Sequence, residues 1–119
     1  MSRATKILLL NGPNLNLLGS REPEIYGKET LQDHIAVASE AAVAAGFTLD
    51  AFQSNSASEL VDKIHDARTE YSAIIINPGA FTHYAWSISD ALNAFDGPVV
   101  EVHISNPQSR ESWRHTSVV

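Results

Sequence analysis

Two short runs, Lys6 to Leu10 and Ser72 to Ile76, are apolar almost throughout and lack the alternation of a strand with one wet face. Each breaks at a turn signal, Asn11-Gly12-Pro13-Asn14 in one case and Asn77-Pro78-Gly79 in the other. Runs this short cannot be helices that cross a core, so they read as buried strands. Phe47 to Gln53 and Val99 to Ile104 read as two more.

The segments between them carry helical spacing. Thr30 with Asp33 forms a capping-box pattern, Leu31, Ile35, Ala38 and Ala42 recur on one face, and Gly46 is a natural stop. Ser56 with Glu59 caps a second helix whose apolar face holds Leu60, Ile64 and Ala67. Ala85, Ile88, Leu92 and Phe95 mark a third, ended by Asp96-Gly97-Pro98. Strands alternating with helices in this way predict a doubly wound α/β fold. Parallel strands need helical crossovers, and the sheet between them is covered on both faces.

With 119 residues, 44% of them hydrophobic, the chain can bury one sizeable core, and residues 1–119 are expected to form a single domain. Eight Lys and Arg against 14 Asp and Glu leave a formal charge of -6, which disfavours nucleic acid and anionic membrane as partners. The absence of cysteine removes disulfide frameworks and thiolate sites. The apolar run after Met1-Ser2-Arg3-Ala4-Thr5-Lys6 is too short for export or for spanning a bilayer, and a cytoplasmic location is expected.

Loops at the carboxyl ends of parallel strands are where ligands bind. Here those loops are 11–27, 53–56, 77–83 and 103–114, and they hold most of the distinctive polar residues. Arg21 and Tyr26 share the first. A free phenol titrates near pH 10, so it serves as a base only where something stabilises the phenolate. A guanidinium at about 4 Å in an effective dielectric of about 20 is worth about 4 kcal/mol, roughly three pKa units, which suffices. The same pair also fits a surface tyrosine packed on its loop beside a solvated arginine.

His103 ends the fourth apolar run, and Glu101 lies one alternation step back on the same face. An imidazole there can donate a proton while a carboxylate fixes its orientation; a hydrogen-bonded core histidine is the plainer alternative. Asn14, Asn77, His83 and Ser105 suit the orientation of hydroxyls and a developing oxyanion, although each alone also fits a turn or cap. Arg110 and Arg114 can fork onto a carboxylate or lie on a solvated face. His34, His65, His83, His103 and His115 form no close-spaced ligand pair, no lysine is placed like a Schiff-base lysine, and no glycine pattern marks a nucleotide loop. Neither metal nor cofactor is expected.

Read together, Leu10-Asn11-Gly12-Pro13-Asn14-Leu15-Asn16-Leu17-Leu18-Gly19 with Arg21-Glu22-Pro23 and Tyr26-Gly27, Phe52-Gln53-Ser54-Asn55, Ile76-Asn77-Pro78-Gly79-Ala80 with Thr82-His83, and Val100-Glu101-Val102-His103-Ile104-Ser105-Asn106-Pro107 closely resemble the type II 3-dehydroquinate dehydratases. The resemblance runs in order over nearly the whole chain. It implies a flavodoxin-like, three-layer fold and anti elimination of water from 3-dehydroquinate through an enolate to 3-dehydroshikimate, in the shikimate pathway or in quinate catabolism. By position, Tyr26 would be the base for the C2 proton, with Arg21 favouring its phenolate. Asn14 would help hold the enolate oxygen or its water, and His103, oriented by Glu101, would protonate the departing hydroxyl. Asn77, His83, Ile104, Ser105 and Arg114 match substrate-binding positions. Asp90 matches a residue that reaches a neighbouring subunit's site, which implies homo-oligomers, trimers assembling to dodecamers.

The chain departs from the family's pattern at several points. Ser56-Ala57-Ser58 stands where the family usually has His-Glu-Gly, Ser89 where an arginine is common, and Gln108-Ser109-Arg110 and His115-Thr116 where it has His-Ala-Arg and His-His. The family also continues beyond the position of Val119 with a fifth strand and a C-terminal helix, so the resemblance implies either that the polypeptide continues past the residues given or that this is a truncated form without that strand and helix. A non-catalytic or truncated homologue with an assembly role is the alternative these departures raise. A flavodoxin-like binding module for flavin phosphate or phosphoryl groups is a further one, disfavoured because Asn-Gly-Pro-Asn is neither a hydroxyl-rich phosphate loop nor an acidic cluster.

Overall fold

The computed structural model describes residues 5–18, 29–79 and 86–103. In chain order the regular elements are β1 (Lys6–Asn11), a 3-10 turn (Leu15–Leu17), α1 (Leu31–Ala44), β2 (Thr48–Gln53), α2 (Ala57–Glu70), β3 (Ala73–Asn77), α3 (Trp86–Asn93) and β4 (Val99–Glu101). Among the described residues the strands form one four-stranded sheet in the order β2-β1-β3-β4, and every pairing is parallel. This is the flavodoxin-like winding: right-handed crossovers in that order place α1 on one face and α2 and α3 on the other.

The caps act as their sequences dictate. Thr30 Oγ1 accepts from the Asp33 amide at 3.2 Å, and the Asp33 carboxylate accepts from the Thr30 amide at 2.9 Å. The Thr30 backbone amide first, and then the Thr30 hydroxyl, hold the Asp33 carboxyl below its usual range. At the far end of α1, Gly46 takes φ 89°, a conformation that costs a residue without Cβ little. At α2, Ser56 Oγ accepts from the Glu59 amide at 3.4 Å, but the Glu59 carboxylate does not return to the Ser56 amide. It accepts instead from Ser54 Oγ, which itself accepts from the Ser56 amide at 2.9 Å. The reciprocal box closes through a third residue.

The principal core lies between the sheet and the α2–α3 layer. Leu8 and Leu10 of β1 and Ile74 and Ile76 of β3 meet Leu60, Ile64 and Ala67 of α2 and Ile88, Ala91 and Leu92 of α3. A smaller cluster joins Leu15 and Leu18 to Leu31 of α1, with Ile35 packed against it. Phe95 lies past the end of α3 yet remains buried with the main core, so the apolar face of that segment outlasts its helix.

Burial on both faces holds for the central strands and fails for the outer ones. β1 and β3 are largely buried, whereas β2 has no buried residue and β4 is exposed throughout, with Val100 at 53%. Among the described residues β2 and β4 each have a neighbouring strand on one side only, so their apolar residues lose part of their cover. β3 also begins and ends one residue later than its apolar run, because Asn77 pairs with Asn11 and completes the ladder. β4 ends at Glu101, ahead of the expected Ile104, which lies outside the described residues.

The carboxyl ends of β1 and β3 are held together beyond the ladder. The Gly12 amide donates to the Asn77 carbonyl at 2.8 Å, and a Cβ at Gly12 would lie 2.1 Å from the Pro78 carbonyl oxygen. Only glycine permits that approach.

Two stability measurements check this packing. Ile64→Ala, at a fully buried position, should cost about 3 kcal/mol in urea unfolding, while Val37→Ala, 69% exposed, should stay within about 0.5 kcal/mol of the parent. Gly12→Ala must push the two loops apart, and a loss of about 2 kcal/mol or more is expected together with loss of whatever activity resides at this edge. An unchanged midpoint for Gly12→Ala would show that the approach constrains nothing.

Candidate functional site

In a doubly wound sheet the ligand crevice lies where connections from adjacent strands leave in opposite directions. That point falls between β1, whose chain leads outward to β2, and β3, whose chain leads outward to β4. Asn11 and Asn77 face each other in register there and are 4% and 6% exposed. Asn77 Oδ1 accepts from the Gly79 amide at 3.4 Å, whereas Asn11 Nδ2 is buried with no partner among the described residues.

Asn14 stands just past the β1 end, exposed, with φ 66° and ψ -4°. Left-handed backbone is uncommon outside glycine, and asparagine tolerates it better than most. Its side chain makes no cap bond to the 3-10 turn it precedes. Its amide donates to Asn55 Oδ1 at 2.9 Å, across 41 residues of sequence. Gln53 Nε2 reaches the same Asn55 oxygen at 3.2 Å and the Gly12 carbonyl at 3.1 Å.

Past β4, the His103 imidazole is bonded through Nε2 to the Glu101 carboxylate. Both side chains are partly sheltered, at 23% and 28% exposure. With one ring nitrogen committed to a carboxylate, the ring is oriented and its other nitrogen is left to exchange a proton with a ligand. A cavity of about 370 Å³ opens on the α3 side of β4, lined by Ile76, Ser89, Leu92, Phe95 and Glu101 among others. Glu101 thus joins that cavity to His103.

Adjacent strands lie about 5 Å apart, so the ends of β1 and β4, with β3 between them, are about 10 Å apart. That span fits a small ring with a neutral amide on one flank and an imidazole on the other. Among the described residues no group of three or more potential metal ligands forms, and no helix is long and apolar enough to cross a membrane.

Of the residues singled out in the sequence, Asn14, Asn77, Glu101 and His103 come to this one edge. Glu101 pairs with Ile76 and so lies on the α2–α3 face, while Asn77, the next residue, points to the α1 face. The two can meet a common ligand only beyond the strand ends. Asp90 is exposed on α3. Arg21, Tyr26, His83, Ile104, Ser105 and Arg114 lie outside the described residues. Sequence reasoning passed over Gln53 and Asn55 as site residues, although they belong to one of the motifs that carry the resemblance. Their place at the end of the strand beside β1 was the available signal.

The sequence profile of the family described as "Dehydroquinase class II" matches residues 5–119. The chain is 60% identical over 111 residues to "3-dehydroquinate dehydratase 2" of Agrobacterium fabrum, spanning 93% of this chain and 76% of that protein. It is 54% identical over 114 residues to "Catabolic 3-dehydroquinase" of Verticillium alfalfae, spanning 96% of this chain and 76% of that protein. Among solved structures, the type II dehydroquinase of Butyrivibrio crossotus superimposes with a TM-score of 0.91 at 43% identity, over 96% of this chain and 80% of that one. A parallel sheet in the order β2-β1-β3-β4, a family profile that spans the described fold, and this degree of identity lead to one conclusion: the chain belongs to the class II dehydroquinases.

Proposed function

We propose that the chain, acting as one catalytic unit over residues 1–119, eliminates water from 3-dehydroquinate in the anti sense to give 3-dehydroshikimate. The observation that carries this reading is the Glu101-bonded imidazole of His103, two strands across the switch point from Asn14. The strand ends that precede them are about 10 Å apart, a span that a small ring can bridge.

The Tyr26 phenolate, favoured by the Arg21 guanidinium, takes the proton from C2, and the electron pair moves onto the C3 carbonyl oxygen as an enolate. Asn14 stabilises that oxygen, directly or through a water. When the enolate collapses, the C2–C1 double bond forms, the C1–O bond breaks and His103 delivers the proton that lets the hydroxyl leave as water. Glu101 keeps the ring in the tautomer and orientation this requires. Asn77, His83, Ile104, Ser105 and Arg114 hold the substrate, Arg114 by forked bonds to its carboxylate. Neither a metal nor a covalent adduct enters any step.

Asp90 is exposed on α3, which leaves its carboxylate available to a neighbouring copy. Assembly into trimers and then dodecamers belongs to the same reading, as does a cytoplasmic location. Both the biosynthetic and the catabolic use of this reaction are compatible with the chemistry, because they share the step.

The test adds 3-dehydroquinate to the purified protein and follows the near-ultraviolet absorbance of the conjugated enone product. The parent should show a steady rise. Tyr26→Phe should lower kcat by about 10²- to 10⁴-fold with little change in KM, since the lost group acts in proton transfer. A parent that produces no absorbance would defeat the enzyme reading, and an unchanged kcat in Tyr26→Phe would remove the phenol from its role.

A further inference from the structure

We infer that Gln53 and Asn55, at the carboxyl end of β2, are positioning residues for the elimination: their hydrogen bonds to the backbone of Gly12 and Asn14 hold Asn14 in the left-handed conformation that sets the direction of its carboxamide. The inference rests on the reading in which that carboxamide stabilises the enolate oxygen.

The chain of contacts is short. Asn55 Oδ1 accepts from the Asn14 amide at 2.9 Å and from Gln53 Nε2 at 3.2 Å, and Gln53 Nε2 also donates to the Gly12 carbonyl at 3.1 Å. The two side chains therefore grip the loop on both sides of Pro13. On its other side the loop is stopped by β3, where Gly12 abuts Pro78. Asn14 lies between these supports at φ 66°, and its own side chain makes no cap bond that would hold it.

Left-handed backbone at a non-glycine residue persists where surrounding contacts over-determine it. Removing the acceptor at Asn55 frees the Asn14 amide and lets the backbone relax towards the right-handed or extended regions. Either change swings the side chain away from its direction, because Cβ is carried with the backbone. Donors aimed at developing charge act only when they are already in place, so a small rotation is felt in the rate more than in binding. Asn14 and Asn55 are both exposed and neither belongs to the α2–α3 core, so removal of their bond is expected to leave the fold in place.

The experiment is a double-mutant cycle on the full chain with 3-dehydroquinate as substrate. Asn14→Gly removes the carboxamide while permitting the same backbone, Asn55→Ala removes the acceptor, and the pair is combined. Asn14→Gly is expected to lower kcat by about 10²-fold, the scale of losing one oxyanion donor. Asn55→Ala should lower kcat by about 10- to 100-fold with KM within about threefold, and the double variant should be no slower than Asn14→Gly alone. If Asn55→Ala does not fold, Gln53→Met, which keeps the length and loses the donor, takes its place in the cycle. A wild-type kcat in Asn14→Gly would sink the enolate role of Asn14 and the inference with it. A slow Asn14→Gly beside a wild-type Asn55→Ala, or losses that simply multiply in the double variant, would leave that role intact and overturn the positioning.

Discussion

Everything at the working edge depends on how closely β1 and β3 approach one another at their carboxyl ends. The ladder brings Asn11 opposite Asn77, and the Gly12 amide extends it by one bond to the Asn77 carbonyl at 2.8 Å. Beyond that bond the two loops still touch, Gly12 against Pro78 and Gly79 against Pro13, and the switch point lies past them. The buried strands beneath are the reason it holds its shape. Leu8, Leu10, Ile74 and Ile76 are at most 1% exposed, so the strands that carry the loops cannot shift without opening the core.

Tyr71, at the amino end of the sheet, is 4% exposed and donates its hydroxyl to Asp50 Oδ2 at 2.6 Å. Burial first, and then the Asp50 carboxylate, push that phenol above its ordinary range. A raised phenol is fully protonated below about pH 10, so the bond to Asp50 is kept throughout the neutral range and its contribution fades only as the pH rises beyond that. Lys6 completes the cluster, 3.9 Å from Asp50 and 5.0 Å from the centre of the Tyr71 ring. The proposal for Tyr26 asks for the reverse, a phenol beside a guanidinium. A carboxylate or a guanidinium as neighbour decides whether a tyrosine is a strut or a base.

Local pattern was enough to read the elements whose causes are local. Thr30 with Asp33 and Ser56 with Glu59 mark helix starts because each cap is completed within five residues of sequence. The apolar runs of β1 and β3 gave the central strands, because only strands buried on both faces dispense with alternation. The pairing of Glu101 with His103 was legible for the same reason, since residues two apart share a face. What could not be read locally was contact over distance. The bond from the Asn14 amide to Asn55 spans 41 residues, and nothing in Asn-Gly-Pro-Asn announces that its last residue is held from β2. The exposure of β2 and β4 likewise follows from their place at the edges of the sheet formed by the described residues, a property of strand order that composition does not carry.

A structure determined with 3-dehydroshikimate bound tests the account most directly. The ring should lie across the carboxyl ends of β1, β3 and β4, with an oxygen of the product within hydrogen-bond reach of the Asn14 carboxamide and the free imidazole nitrogen of His103 facing C1. Product bound instead in the groove between α3 and β4 and out of reach of Asn14, or at the Lys6–Tyr71 end of the sheet, would contradict it.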